Sequence, residues 1–104
     1  MSTKPDYTNA AQQRLLKVLL ALFSDVVQGV SNTAISKATG SNPSSITRDL
    51  ENLRIAGLAE RDEATGLWRL TPRLPQQAVK VFSAIDLHAA RVEQARNRFT
   101  RTPD

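Results

Sequence analysis

The stretch Asn42-Pro43-Ser44-Ser45-Ile46-Thr47-Arg48-Asp49-Leu50-Glu51-Asn52-Leu53-Arg54-Ile55-Ala56-Gly57 decides the fold of this chain. Asn42 offers a side-chain cap, and Pro43 stands at the first helical position, where its missing N–H costs nothing. Ile46, Leu50 and Leu53 recur at helical spacing as one buried stripe, and Gly57 closes the run. The opposite surface near the helix start then carries Ser44, Ser45, Thr47 and Arg48. A shorter helix precedes this one: Ser31 caps it, Val30 is placed to staple against Ile35, and Gly40 ends it. Two helices joined by a tight turn at Gly40–Ser41 form a helix-turn-helix pattern.

Working outward, Asn9 with Gln12 reads as a capping box for a first helix. Leu15, Leu16, Leu19, Leu20, Leu22 and Phe23 cover a wide arc of it, which predicts a central, well-covered helix. After the third helix, Leu58–Asp62 and Leu67–Thr71 are short segments around Glu63-Ala64-Thr65-Gly66 and read as a β-hairpin. Trp68 and Leu70 alternate with Arg69, so one face packs inward. From Pro75 to about Arg98 the pattern is helical again, with Ala78, Phe82, Ile85, Ala89, Val92 and Phe99 on a narrow seam interrupted by Arg96. The expected class is mostly α with a small β-hairpin: a winged helix-turn-helix plus a long C-terminal helix. The expected organisation is a flexible tail over 1–8, the winged domain over 9–74, a dimerisation helix over 75–99 and a tail over 100–104.

Composition narrows the function classes. The 104 residues carry 14 Lys and Arg against 10 Asp and Glu, for a net charge of +4, which favours a polyanionic partner. Cysteine is absent, which removes disulfides, thiolate metal sites and Cys nucleophiles. The polar N-terminus lacks the apolar core of a signal peptide, and the longest apolar run, Val18–Phe23, is too short to cross a bilayer. A cytoplasmic location is expected, with no membrane partner. His88 is the single histidine, and Asp86, two residues away, points to another side of its helix. The four glycines make no phosphate-cradling loop, and clustered metal ligands are missing. The chain therefore reads as a non-enzyme without metal or other cofactor.

The N-terminal half of the third helix carries the sharpest hypothesis. Small hydroxyls beside one fork-shaped donor suit a major groove, where Arg bonds guanine O6 and N7 together. The helix N-terminus itself suits a phosphate oxygen. Ser44, Ser45, Thr47 and Arg48 are the candidate contacts, with the recognition helix at about 43–56. Asn42 belongs to the same surface but reads as a cap first. Arg61, Arg69 and Arg73, on or beside the 58–71 wing, are candidate backbone anchors, with Lys37 and Arg54 weaker ones. The competing reading is an ordinary solvated face. The hairpin segment holds as many acidic as basic residues, so Arg61 has Glu60, Asp62 and Glu63 as alternative partners. Phe82, Ile85, Ala89 and Val92 read as a homodimer interface, which would set two recognition helices on half-sites about one DNA turn apart; folding back on the first helix is the alternative. The basic C-terminal end reads as a solvated face.

From Arg14 to Leu74 the chain resembles the N-terminal DNA-binding domain of the IclR family of bacterial transcriptional regulators. The resemblance lies in the leucine-rich first helix, in Ser44-Ser45-Ile46-Thr47-Arg48-Asp49-Leu50-Glu51-Asn52-Leu53, and in Gly57-Leu58-Ala59-Glu60-Arg61-Asp62. Gly66-Leu67-Trp68-Arg69-Leu70-Thr71-Pro72-Arg73-Leu74 continues it. It implies double-stranded DNA contact at the Ser44, Ser45, Thr47 and Arg48 positions, and a post-wing helix that mediates dimer contact. Thr39 departs from a leucine usual in the family, and Pro43 from a common basic residue, which removes one phosphate contact. The family's effector-binding domain has no counterpart here, so no small-molecule effector is expected. The expectation is a small bacterial or phage regulator that binds specific DNA, with a protein adaptor or a non-specific architectural DNA binder as alternatives.

Overall fold

The computed structural model describes residues 4–101. Helices α1 (Ala10–Ala21), α2 (Asn32–Thr39) and α3 (Pro43–Ile55) are followed by strands β1 (Ala59–Arg61) and β2 (Trp68–Leu70), then by α4 (Arg73–Thr100). A short 3₁₀ turn, Leu22–Ser24, prolongs α1. The chain divides between Thr71 and Pro72 into two compact units.

Each of the first three helices starts where a side chain satisfies an otherwise orphaned backbone N–H. Asn9 accepts from the Gln12 N–H, Ser31 from Ala34 and Asn42 from Ser45. Only the Asn9 half of the expected capping box is present among the described residues. Gly40 ends α2 with φ +69°, and its N–H reaches the Ser36 carbonyl, so the chain reverses at once into α3.

The core of the first unit is Val18, Leu22, Ile35, Ile46 and Leu50, all fully buried, with Leu53, Ala59, Trp68 and Leu70 around them. The inward stripe of α3 and the Trp68/Leu70 alternation are where periodicity places them. The first helix differs. Val18 is its one buried residue among those described, while Leu16 and Leu20, and Phe23 beyond its end, are exposed. The arc is wider than the surface that α2 and α3 offer it, so α1 is half-covered rather than central.

The strands pair antiparallel, Ala59 with Leu70 and Arg61 with Trp68. Asp62 shapes the turn: its carboxylate accepts from the Ala64 N–H (2.8 Å) and its carbonyl from Gly66 N–H (2.7 Å). Val30 adds a bridge on the far side of β2, donating to the Trp68 carbonyl (2.6 Å) and accepting from its N–H (2.9 Å). The residue read as a staple for α2 ties the hairpin to the segment that leads into that helix.

Helix α4 begins at Arg73 rather than Pro75 and runs to Thr100. Pro75 falls in its first turn, where no intrahelical N–H is needed, and Gln76 N–H closes that turn on the Pro72 carbonyl (2.9 Å). None of its described residues is buried. Residues 1–3 of the expected N-terminal tail and 102–104 of the C-terminal one lie outside the described residues; residues 4–8 are exposed and irregular, and Thr100 is helical. Among the described residues no helix is long and apolar enough to cross a membrane.

Candidate nucleic-acid interface

The start of α3 is held by its own cap and by the helix before it. Asn42 Oδ1 accepts from the Ser45 N–H (2.9 Å) and from the Ser44 hydroxyl (2.8 Å). Thr47 Oγ1 donates to the Pro43 carbonyl (3.0 Å) and accepts from Asn32 Nδ2 (2.7 Å). Asn32 also donates to the Pro43 carbonyl (3.3 Å) and accepts from the Ser36 hydroxyl (3.1 Å). The amide therefore stitches α2 to the exposed side of α3. Sequence reading passed over Asn32; its partners on α3 lie 11 and 15 residues away, a separation no local pattern reveals.

Among the predicted contacts these bonds divide the labour. Ser44, Thr47 and Arg48 are exposed and Ser45 is half-buried. The Ser44 and Thr47 hydroxyl protons already serve the helix start, as does the Asn42 carbonyl oxygen. Arg48 is different: among the described residues its guanidinium has no hydrogen-bond or charge partner. It projects from the N-terminal half of α3, one residue after the last cap-linked hydroxyl.

The hairpin cations also separate. Arg69 is tied down, its Nε on Glu60 Oε1 at 2.9 Å and its Nη1 3.7 Å from Asp62 Oδ2. The hydrogen bond to Glu60, and then its charge, raise the Arg69 pKa above its ordinary value. Arg61, a candidate backbone anchor for which acidic partners were the alternative, is exposed and has none among the described residues. Cross-strand pairing explains the exchange, because Glu60 stands opposite Arg69 and Arg61 opposite Trp68. Arg73 is exposed, but it opens α4 and belongs to the second unit.

Between α3 and the hairpin runs an open groove of about 530 Å³. Thr47, Glu51 and Arg54 line it on the helix side, Arg61, Glu63 and Trp68 on the hairpin side, and Asn32 lies at its edge. Arg54 is neutralised there by Glu51, which it grips through Nε and Nη2. The same contact lowers the Glu51 pKa and raises that of Arg54. Arg61 is thus the cation of this groove left open to an incoming anion.

Behind the exposed face lies a second unforeseen feature. Asp49 is 5% exposed and receives a forked bond from Arg14 of α1, at 2.6 Å to Oδ2 and 2.9 Å to Oδ1. The signal existed, since Asp49 continues the inward series Ile46, Leu50 and Leu53 at helical spacing. A buried carboxylate needs a cation, but only the packing of α1 on α3 names which. The pair ties α1 to the inward side of α3, alongside the buried Ile46, Leu50 and Leu53. Among the described residues no cluster of three or more His, Cys, Asp or Glu side chains is arranged to hold a metal ion.

No protein-family model matches the chain, and no curated protein matches it. Among solved structures it is similar to the Zalpha domain of ORF112 from Cyprinid herpesvirus 3, determined for its binding mode to Z-DNA. The TM-score is 0.51 at 23% identity, over 58% of this chain and 95% of that one. It is also similar to wild-type ZitR of Lactococcus lactis, with a TM-score of 0.47 at 21% identity over 96% of this chain and 67% of that one. Three helices and an antiparallel hairpin in this order are a winged helix-turn-helix fold, here followed by a long final helix, and the herpesvirus domain matches 58% of this chain.

Proposed function

We propose that the chain is a sequence-specific regulator of transcription that binds double-stranded DNA as a homodimer. In this reading α3 enters the major groove and the hairpin lies along the sugar-phosphate backbone. The observation that carries it is Arg48: a guanidinium without a partner among the described residues, on the exposed N-terminal half of α3, which Asp49 anchors from behind. Arg48 reads a base edge, with guanine the matching acceptor. Arg61 meets a phosphate across the groove. The Ser44–Ser45 end of α3 offers backbone N–H groups to a second phosphate, and Ser45 contributes its hydroxyl. Asn42 and Thr47 act mainly by holding α3, and Arg69 acts weakly because it must first leave Glu60. Arg73, next to the wing in sequence, is a further backbone anchor. The dimer forms through Phe82, Ile85, Ala89 and Val92 of α4. The IclR-like assignment rests on the order of residues from Arg14 to Leu74.

The test is a selection of duplexes from random DNA, followed by anisotropy titration of the winning site and of an unrelated duplex. Arg48→Ala should weaken the winning site about 5- to 150-fold, the equivalent of one bidentate base contact, and the unrelated duplex much less. Equal weakening on both would make Arg48 a phosphate contact. Absence of any duplex binding would overturn the proposal.

The exposed Leu16, Leu20 and Phe23 favour a second reading, a protein adaptor. It predicts partner capture that survives Arg48→Ala and Arg61→Ala in a preparation that retains no DNA.

A further inference from the structure

Helix α4 leaves its apolar side open: Phe82 is 67%, Ile85 55% and Val92 68% exposed. Written as heptads, Phe82 and Ala89 take position a, and Ala78, Ile85 and Val92 take position d. Phe99 takes the following d position, beyond Arg96, and the Arg98 guanidinium lies 5.0 Å from the centre of its ring. Arg96 would occupy the next a position, so the apolar seam ends at Val92, some 20 Å from its start at the helical rise.

The residues beside the seam differ in charge. Asp86 and Glu93 flank one side, at position e, and His88 flanks the other, at position g. Lys80, Arg91 and Arg98 all fall on the opposite face of the helix. An antiparallel pair brings each flank against its own kind. With Phe82 layered on Val92 and Ile85 on Ala89, it sets Asp86 against Asp86 and His88 against His88. A parallel, in-register pair brings g against the e position five residues on. His88 then meets Glu93 of the second copy, twice by symmetry, and the imidazole N–H has a carboxylate acceptor. The two Arg96 side chains meet only beyond the apolar layers, where they are long enough to turn outward to water. A single charged a position also disfavours shifted registers.

We infer that α4 pairs with a second copy of itself as a short parallel coil over Ala78–Val92, with His88 of each chain bonded to Glu93 of the other. This rests on the homodimer proposed above and adds its orientation.

The absence of native cysteine allows a direct test with the full chain. Val92→Cys, at a d position, should oxidise to a disulfide-linked dimer by itself, whereas Leu87→Cys, on the outer face, should not. A mass measurement without oxidant separates the two levels of the claim. A monomer overturns both the homodimer and the coil. A dimer in which Val92→Cys stays unlinked, while a mixture of Phe82→Cys and Val92→Cys chains links, overturns the parallel orientation alone. Equal linking through Leu87→Cys also overturns it. Independently, His88→Glu should weaken dimerisation about tenfold and the added Glu93→Lys should restore it. Failure of that rescue counts against the His88–Glu93 contact.

Discussion

Replacing Gly29 by alanine probes how the hairpin is fastened to the helices. Gly29 has φ +101°, outside even the small left-handed basin that an L residue can occupy. A Cβ built there lies 2.7 Å from the Trp68 carbonyl oxygen and 3.1 Å from its carbon. That same oxygen accepts the Val30 N–H at 2.6 Å, so it cannot retreat without loosening the bridge. Backbone strain of about 1–3 kcal/mol and a weakened hydrogen bond of about 1 kcal/mol oppose the substitution. The reduced freedom of the unfolded chain returns about 0.4–1 kcal/mol. The net loss should be about 2–3 kcal/mol. Gly40→Ala is the matched control, with φ +69° and no atom within 4 Å of the added carbon. Its strain, about 1–2 kcal/mol, is largely offset by the same unfolded-state effect, leaving about 1 kcal/mol or less. Urea unfolding followed by fluorescence reads both losses, because Trp68 is the single tryptophan and is itself part of the bridge. Losses within 0.5 kcal/mol of each other would refute the argument that the Trp68 carbonyl is fixed.

The Arg14–Asp49 pair should respond unequally to truncation. Asp49→Ala frees an Arg14 side chain that is already 27% exposed and should cost about 2 kcal/mol; Arg14→Ala strands a carboxylate only 7% exposed and should cost more in the same urea assay. The reverse order would show that Asp49 reaches water without Arg14. Glu51 should titrate below the ordinary glutamate range by NMR, and Arg54→Ala should return it there. Because its folded pKa is depressed, the stability it contributes is present above the unfolded glutamate pKa and is lost as pH falls through the folded one. An unchanged Glu51 titration in Arg54→Ala would exclude the pair in solution. In DNA titrations at several salt concentrations, Arg61→Ala should reduce the slope of log affinity against log salt by about 0.9 per protein chain, one phosphate's worth. Arg69→Ala should change it less, since Arg69 already has Glu60; equal changes would mean that DNA displaces Glu60.

The elements of this protein were legible because their causes are local. Asn9, Ser31 and Asn42 cap helices through bonds to residues three positions on. Gly40 and Pro43 act on their own backbone, and the Ile46–Leu50–Leu53 stripe needs only helical period to declare itself. The candidate surface of Ser44, Ser45, Thr47 and Arg48 was legible for the same reason, as what is left of α3 once the stripe faces inward.

What each of those side chains is available to do was settled by packing. Asn32 engages Thr47, Glu60 claims Arg69 rather than Arg61, and Asp49 turns inward to Arg14, each through a partner distant in sequence. The width of an apolar arc on α1 likewise says nothing about how much neighbouring surface exists to cover it. Local propensity and period are properties of a segment, so the chain alone determined helix, helix, helix, hairpin and helix. Which cations of α3 and the hairpin remain uncompensated among the described residues is a property of pairs brought together by folding, and only the tertiary structure separated Arg48 and Arg61 from Arg54 and Arg69.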